Sequence, residues 1–238
     1  MSPRLSDNAS DVIYQLREWN KQRKFDRLIR QGVEKCEPRF RPILDLSIDY
    51  PPGSVEYAHI ERYRFAIDHI PKAQGRILNA ACGSGYGNAI IAEAGGYPVG
   101  VDLFEEPLSI ARNRFPFGEY VQADVMQLDR FSPQSLDAVV SFETIEHVRD
   151  PMRACSEFLR VLKPGGMFVG SIPIMVFHNP GTNFTWQAAL DFVRNMFPDA
   201  DLYLQDNCSI APLSLVRWCA IRHQGDKYLL WVWRKVAL

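Results

Sequence analysis

The chain has 238 residues, 47% of them hydrophobic, and balances 27 lysines and arginines against 28 aspartates and glutamates for a net charge of −1. That balance argues against a nucleic-acid coat or a membrane-coating surface, and the length suits one large domain or two small ones. The five cysteines are odd in number and include no CxxC pair, so they read as reduced thiols and not as a disulfide framework or a zinc knuckle. The first residues, MSPRLSDNASD, lack the apolar core of a signal peptide, and no stretch approaches the ~18 to 20 apolar residues of a membrane span, so a cytoplasmic protein without a membrane partner is expected.

In chain order, residues 10 to 34 read as a helix in two pieces. Val12, Leu16 and Trp19 share a face, and Phe25, Leu28, Ile29 and Val33 continue out of phase with it. Arg17, Lys21, Arg23, Lys24, Arg27 and Arg30 lie along the same stretch, as the solvated face of a lid helix or as phosphate contacts. The prolines of YPPGS, Tyr50 to Ser54, impose an extended turn and close this N-terminal extension, residues 1–54. Residues 55–238 form the main domain.

Short apolar runs then alternate with amphipathic ones. Arg76 to Ala81, Tyr97 to Asp102, Glu119 to Ala123, Leu136 to Phe142 and Met167 to Ile172 read as strands. Tyr86 to Ala94, Pro107 to Phe115 and Pro151 to Leu162 read as helices, the last capped by Asp150 and ended by Pro164-Gly165-Gly166. Such alternation builds a parallel sheet with helices on both faces, a doubly wound α/β fold. Trp186 to Phe197 adds a helix, Leu202 to Gln205 a strand, and Tyr228 to Arg234 a strand in which Trp231 and Trp233 serve as packing residues or as a platform for a ring substrate.

Chemistry gathers at the strand ends. ILNAACGSGYG, Ile77 to Gly87, joins a strand to a helix through Gly83, Gly85 and Gly87, which lets backbone approach a ligand at a helix start. Asp102 ends the next strand in GVDLF, where an acid can accept from both hydroxyls of a ribose. Asp124 in QADVM ends the third, placed to accept from an adenine amino group. Each acid alone is equally well a strand-end cap; together and in this order they point to a nucleoside-bearing ligand.

ILNAACGSGYG, GVDLF, QADVM, FETIEHV and RVLKPGGMFVGSIP together resemble the class I S-adenosylmethionine-dependent methyltransferases, over residues 56 to 173. The resemblance implies a Rossmann-like, mostly parallel seven-stranded sheet with an antiparallel edge strand. It also implies S-adenosylmethionine bound by Asn79, Ala81, Gly83, Gly85, Asp102, Leu103, Asp124, Val125, Phe142 and Tyr63. EYAHIERYRFA, Glu56 to Ala66, is similar to a segment of a bacterial branch linked to sugar and polysaccharide modification. There Arg62 and Tyr63 close over the cofactor carboxylate or form an ordinary helix, and His59 is structural. Two positions depart from the family. Asn79 stands where an acid is usual, which removes a charge that commonly doubles hydrogen-bond strength. Ala81 replaces a glycine and is harmless only at negative φ.

SFETIEHV, Ser141 to Val148, follows the fourth predicted strand. On a helical turn Glu143, Glu146 and His147 stand at i, i+3 and i+4 and share a face, where two carboxylates and an imidazole can bind a hard divalent cation. The pattern resembles metal-dependent O-methyltransferases of ubiquinone pathways and of small-RNA 3′ ends, which implies Mg²⁺ held by Glu143, Glu146 and His147, with His178 as a fourth ligand. Without a metal, His147 is the general base or packs. Phe177 and Asn183 to Trp186 are placed to line an acceptor pocket. Three functions fit: O-methylation of a sugar or other small polyol, N-methylation of an amino sugar or similar amine, and a non-catalytic binding module that keeps the fold. The partner expected is a small-molecule or glycan acceptor. Nucleic acid has only the N-terminal basic residues in its favour, and the oligomeric state is open.

Overall fold

The computed structural model describes residues 44–71, 75–174, 186–206, 208–215 and 228–236. The helices expected over residues 10 to 34 lie outside them.

Helix α1 (Val55–His69) starts where the YPPGS turn ends, with the Ser54 hydroxyl accepting from the Tyr57 amide at 3.1 Å as its N-cap. Then follow β1 (Arg76–Ala80), α2 (Tyr86–Glu93), β2 (Tyr97–Asp102), α3 (Glu105–Arg114), β3 (Glu119–Gln122), β4 (Leu136–Phe142), α4 (Pro151–Val161) and β5 (Leu162–Pro173). Helix α5 (Trp186–Met196), β6 (Asp201–Gln205), β7 (Ile210–Pro212) and β8 (Tyr228–Arg234) complete the described order.

These strands form one sheet of eight, ordered β3-β2-β1-β4-β5-β8-β6-β7. Strands β1 to β5 pair in parallel, and β8 runs antiparallel between β5 and β6. The expected doubly wound, Rossmann-like sheet is present, with eight strands where seven were expected and with two differences in strand placement. The C-terminal strand is interior, and the antiparallel edge is β7, paired with β6. Tyr228 to Val232 are all buried, as an interior strand requires.

Alternation along the strands divides the core in two. Ala138 and Val140 of β4 join Met167 and Val169 of β5, Ile77, Ile91, and Tyr63 and Ala66 of α1 on one face. Leu136 and Val139, with Phe168 and Trp231, meet Phe158 of α4 and Phe197 on the other. Each fully buried Leu, Val or Phe contributes about 1.5–3 kcal/mol, so both sheet faces must be covered for the fold to hold. Trp231 stacks on Phe197 with ring centroids 5.7 Å apart, and Gly170 makes room for it, because a Cβ there would lie 2.2 Å from the indole. The two tryptophans are packing residues: the Trp233 indole N–H donates to the Pro198 carbonyl at 2.9 Å.

Among the described residues, no helix is long and apolar enough to cross a membrane.

Candidate active site

The strand order reverses between β1 and β4, and in such sheets the ligand crevice opens beyond the carboxyl ends at that point. Three segments converge there: the loop after β1, the end of β2 and the turn after β4. The Cys82 amide donates to the Val101 carbonyl at 2.9 Å and the Gly83 amide to Asp102 Oδ2 at 3.0 Å, tying the first to the second. The Thr144 hydroxyl, 3.3 Å from the Ala80 carbonyl and 3.1 Å from that of Phe142, ties the third to the first.

Left-handed backbone makes the glycine loop tight. Gly83 has φ +53° and Gly85 φ +86°, and a Cβ on Gly85 would meet Ala111 Cβ at 2.5 Å. Gly85 is also the N-cap of α2 and no side chain caps the helix, so its start can present backbone amides to a ligand, with that of Asn88 already bonded to the Gly85 carbonyl at 3.0 Å. Ala81 corrects the sequence reading: it lies at φ +56°, the conformation that costs an L residue about 1–2 kcal/mol.

Asp102 ends β2 beside the glycine loop. Its oxygens accept from the Gly83 amide and, at 3.1 Å, from the Phe104 amide. Each oxygen then keeps a lone pair for a ribose hydroxyl. Burial raises the pKa of this carboxyl, with the amides of Phe104, Gly83 and Leu103 opposing it. Leu103 beside it is 46% exposed, an apolar surface for a base. Asp124 lies just past β3 and accepts from the Met126 amide at 2.8 Å. The Val125 side chain belongs to the core, which leaves only its backbone for a ligand.

Asn79 and Tyr63 are hydrogen-bonded to each other. The Tyr63 hydroxyl donates to Asn79 Oδ1 at 2.9 Å and Asn79 Nδ2 donates to Asn88 Oδ1 at 2.8 Å, a buried chain that links α1, β1 and α2. Tyr63 also meets Phe142 edge-on, with centroids 5.0 Å apart, and a Cβ on Gly87 would lie 2.2 Å from its ring. In this arrangement the Tyr63 hydroxyl serves Asn79 and not a cofactor carboxylate.

The turn after β4 departs furthest from expectation. No helix forms over Glu143 to His147 and Glu143 sits at φ +50°, so the three side chains do not share one helical face: Glu143 pairs with α1, while Glu146 and His147 stand beside each other. The Glu143 carboxylate takes the Arg62 guanidinium of α1 as its partner, with His59 Nε2 at 3.4 Å. His59 Nδ1 is 3.2 Å from the Tyr86 hydroxyl, and the Arg62 guanidinium lies 3.9 Å over the Tyr228 ring. Arg62 is 1% exposed. Burial opposes its charge most strongly, yet Glu143 together with Tyr228 and Tyr86 more than offsets it and the pKa is raised. Glu146 is buried, and burial together with the Glu143 charge raises its carboxyl well above the usual range. His147 Nε2 stands 3.9 Å from Glu146 Oε1, and its side chain is 35% exposed.

This geometry does not fit a divalent ion. An ion on Glu143 would stand ~4–5 Å from a guanidinium, and a +2 and a +1 charge at that separation repel by about 7 kcal/mol at an effective dielectric of ~20. Among the described residues no group of three or more His, Cys, Asp or Glu side chains is arranged to hold a metal. His178, Phe177 and 183–185 lie outside the described residues, as does the side chain of Trp186.

Sequence reading missed Tyr86, Asn88, Thr144 and Tyr228. Only the Arg62–Tyr63 dipeptide hinted at them, because adjacent helical residues must serve different neighbours. A groove of about 220 Å³ between α1 and the β6–β7 edge, lined by Tyr57, Glu61, Phe65, Gln205 and Cys208, is separate from the Asp102 crevice.

Residues 78–170 match the family model described as a methyltransferase domain. A probable S-adenosylmethionine-dependent methyltransferase of Mycobacterium tuberculosis (strain CDC 1551 / Oshkosh) is 30% identical over 195 residues, 79% of this chain and 71% of that relative. A ubiquinone biosynthesis O-methyltransferase of Saccharophagus degradans is 26% identical over 82% of this chain and 77% of the relative. Other matches are shorter, down to 40% of the relative's length. Among solved structures, the [4+2]-cyclase SpnF superposes with a TM-score of 0.60 at 16% identity, over 92% of this chain and 96% of that one. Since a cyclase shares the architecture, fold alone does not specify methyl transfer. Sequence similarity at 30% identity over 79% of this chain and 71% of the Mycobacterium tuberculosis relative does: the chain belongs to the S-adenosylmethionine-dependent methyltransferases and is an enzyme of that family.

Proposed function

We propose that this methyltransferase acts on a hydroxyl of a small acceptor, a sugar or other polyol, with His147 as the general base. The observation that carries the reading is the position of His147: a partly exposed imidazole in the turn after β4, which Thr144 ties to the glycine loop. S-adenosylmethionine, when bound, supplies a methyl group on a sulfonium. The acceptor oxygen bonds to the methyl carbon as the carbon–sulfur bond breaks, the electron pair stays with sulfur, and the hydroxyl proton passes to the His147 imidazole. Such a base contributes typically ~10²–10⁴-fold, and positioning of the acceptor supplies much of the remaining rate.

Two further considerations favour oxygen over nitrogen. An amine acceptor is best held by ionised carboxylates, yet Glu143 is already paired with Arg62 and Glu146 is buried. The Saccharophagus degradans relative is named as an O-methyltransferase. A sugar acceptor rests on the likeness of EYAHIERYRFA to the sugar-modifying branch.

The test is His147→Ala, assayed with a panel of sugar, polyol and amine acceptors. The expected outcome is a fall in kcat of about 10²-fold or more, with S-adenosylhomocysteine affinity unchanged. A loss below about threefold, or turnover confined to amines, would sink the reading.

A further inference from the structure

We propose that Arg62 takes the place of a metal ion in this chain: its guanidinium is the fixed counter-ion of Glu143, so the carboxylates after β4 neither need nor admit a divalent cation. The pair instead positions the turn that carries His147.

Glu143 begins that turn, and its left-handed backbone, φ +50°, is a conformation that persists only where the surroundings enforce it. Arg62 pairs with Glu143 from α1 through Nη1 and is itself buried. The Tyr228 ring lies 3.9 Å beneath the guanidinium, and the buried His59 bridges Glu143 and the Tyr86 hydroxyl at 3.4 and 3.2 Å. A guanidinium is weakly hydrated and stays charged, so it keeps this buried place where an ammonium would be costly to desolvate.

An Mg²⁺ ion needs near-octahedral oxygen ligation and keeps several waters, so it requires an open, solvated carboxylate. Here the Glu143 oxygen nearest α1 faces two nitrogen groups. The Glu143 amide is 3.3 Å from the Ser171 hydroxyl of β5, and the His147 amide bonds the Thr144 carbonyl at 2.9 Å. Backbone and side chain thus fix the turn without an ion. Arg62 and Glu143 are positioning residues that act on the acceptor through His147.

The inference rests on the hydroxyl-methylation reading only for its effect on rate; metal binding is read directly. The probe is Mn²⁺ titrated into the full chain, followed by calorimetry and by paramagnetic broadening of the His147 and His59 ring proton signals. The expected result is unchanged linewidths and no specific heat up to about millimolar Mn²⁺. Broadening of the His147 signal at stoichiometric Mn²⁺ would overturn the proposal.

A kinetic readout accompanies it. After exhaustive treatment with chelator, kcat should stay within about twofold. Arg62→Lys, which keeps the charge and loses the fork, should lower kcat with the S-adenosylmethionine KM nearly unchanged, and should move the pH dependence of kcat that reports His147. Activity abolished by chelator and restored by Mg²⁺ contradicts the proposal. Loss of all activity with normal S-adenosylhomocysteine binding and no Mn²⁺ effect would tell against the acceptor assignment and leave the ion pair standing.

Discussion

Ala81 and Gly85 occupy the same left-handed region, at φ +56° and +86°, yet the two sites make opposite predictions. At residue 81 the side chain is an expense in backbone strain. Ala81→Gly removes a cost of about 1–2 kcal/mol and returns about 0.5–1 kcal/mol through greater freedom of the unfolded chain, so a net gain of about 0.5–1 kcal/mol is expected in urea unfolding. At residue 85 an added methyl meets both the strain and the Ala111 side chain. Gly85→Ala should therefore lose about 2 kcal/mol or more and weaken S-adenosylhomocysteine binding, because α2 must shift away from the crevice. The sequence identified residues 79 and 81 as departures from family pattern, but their consequence was illegible. Backbone sign at Ala81 depends on the loop's closure onto β2, and the occupation of Asn79 depends on Tyr63 and Asn88, one from a helix that precedes the motif.

At the scale of elements, α4 shows why some helices were readable. Asp150 accepts from the Arg153 amide at 3.0 Å, Pro151 opens the first turn, and Ala154, Cys155, Phe158 and Val161 form its buried face. Each is a local signal. Its polar anchor is not local: Glu157 accepts from Arg160 Nε at 2.8 Å and from the Leu128 amide at 2.8 Å, while Arg160 donates to the carbonyls of Phe131 and Leu128. The Arg160 hydrogen bonds, against some desolvation and with the Leu128 amide, hold the Glu157 carboxyl below its ordinary value. A depressed folded pKa contributes stability above the unfolded value, about 4.3, that is lost as pH falls through the folded one. Glu157→Gln should thus cost about 1–2 kcal/mol at pH 7 in thermal unfolding, and the gap to the native chain should close below about pH 4. The turn after β4 and strand β7 were not readable in this way. Spacing of i, i+3, i+4 is shared by a helix and by a single turn, and only the positive φ at Glu143 decides between them. Three residues at a sheet edge, Ile210 to Pro212, carry no alternation to recognise.

For the whole molecule, strand order does the functional assembly. The repeat of strand and helix in the sequence implied a doubly wound sheet, and the reversal between β1 and β4 puts Gly83, Gly85, Asp102 and His147 at one rim. What sequence could not supply was the pairing of α1 with that rim. Arg62 and Glu143 are 81 residues apart, and their ion pair follows from the seating of α1 over the same sheet face as Ile77 and Val140. The rim account makes one demand above all others: the glycine loop and Asp102 must bind the adenosyl group together. Calorimetry with S-adenosylhomocysteine on the native chain and on Asp102→Ala tests it most directly. The account predicts micromolar binding that weakens by about tenfold or more when the carboxylate is removed, the loss of about 1.4 kcal/mol or more expected of charge-assisted hydrogen bonds. Binding of equal strength in the two proteins, or no heat at millimolar ligand in the native chain, would contradict it.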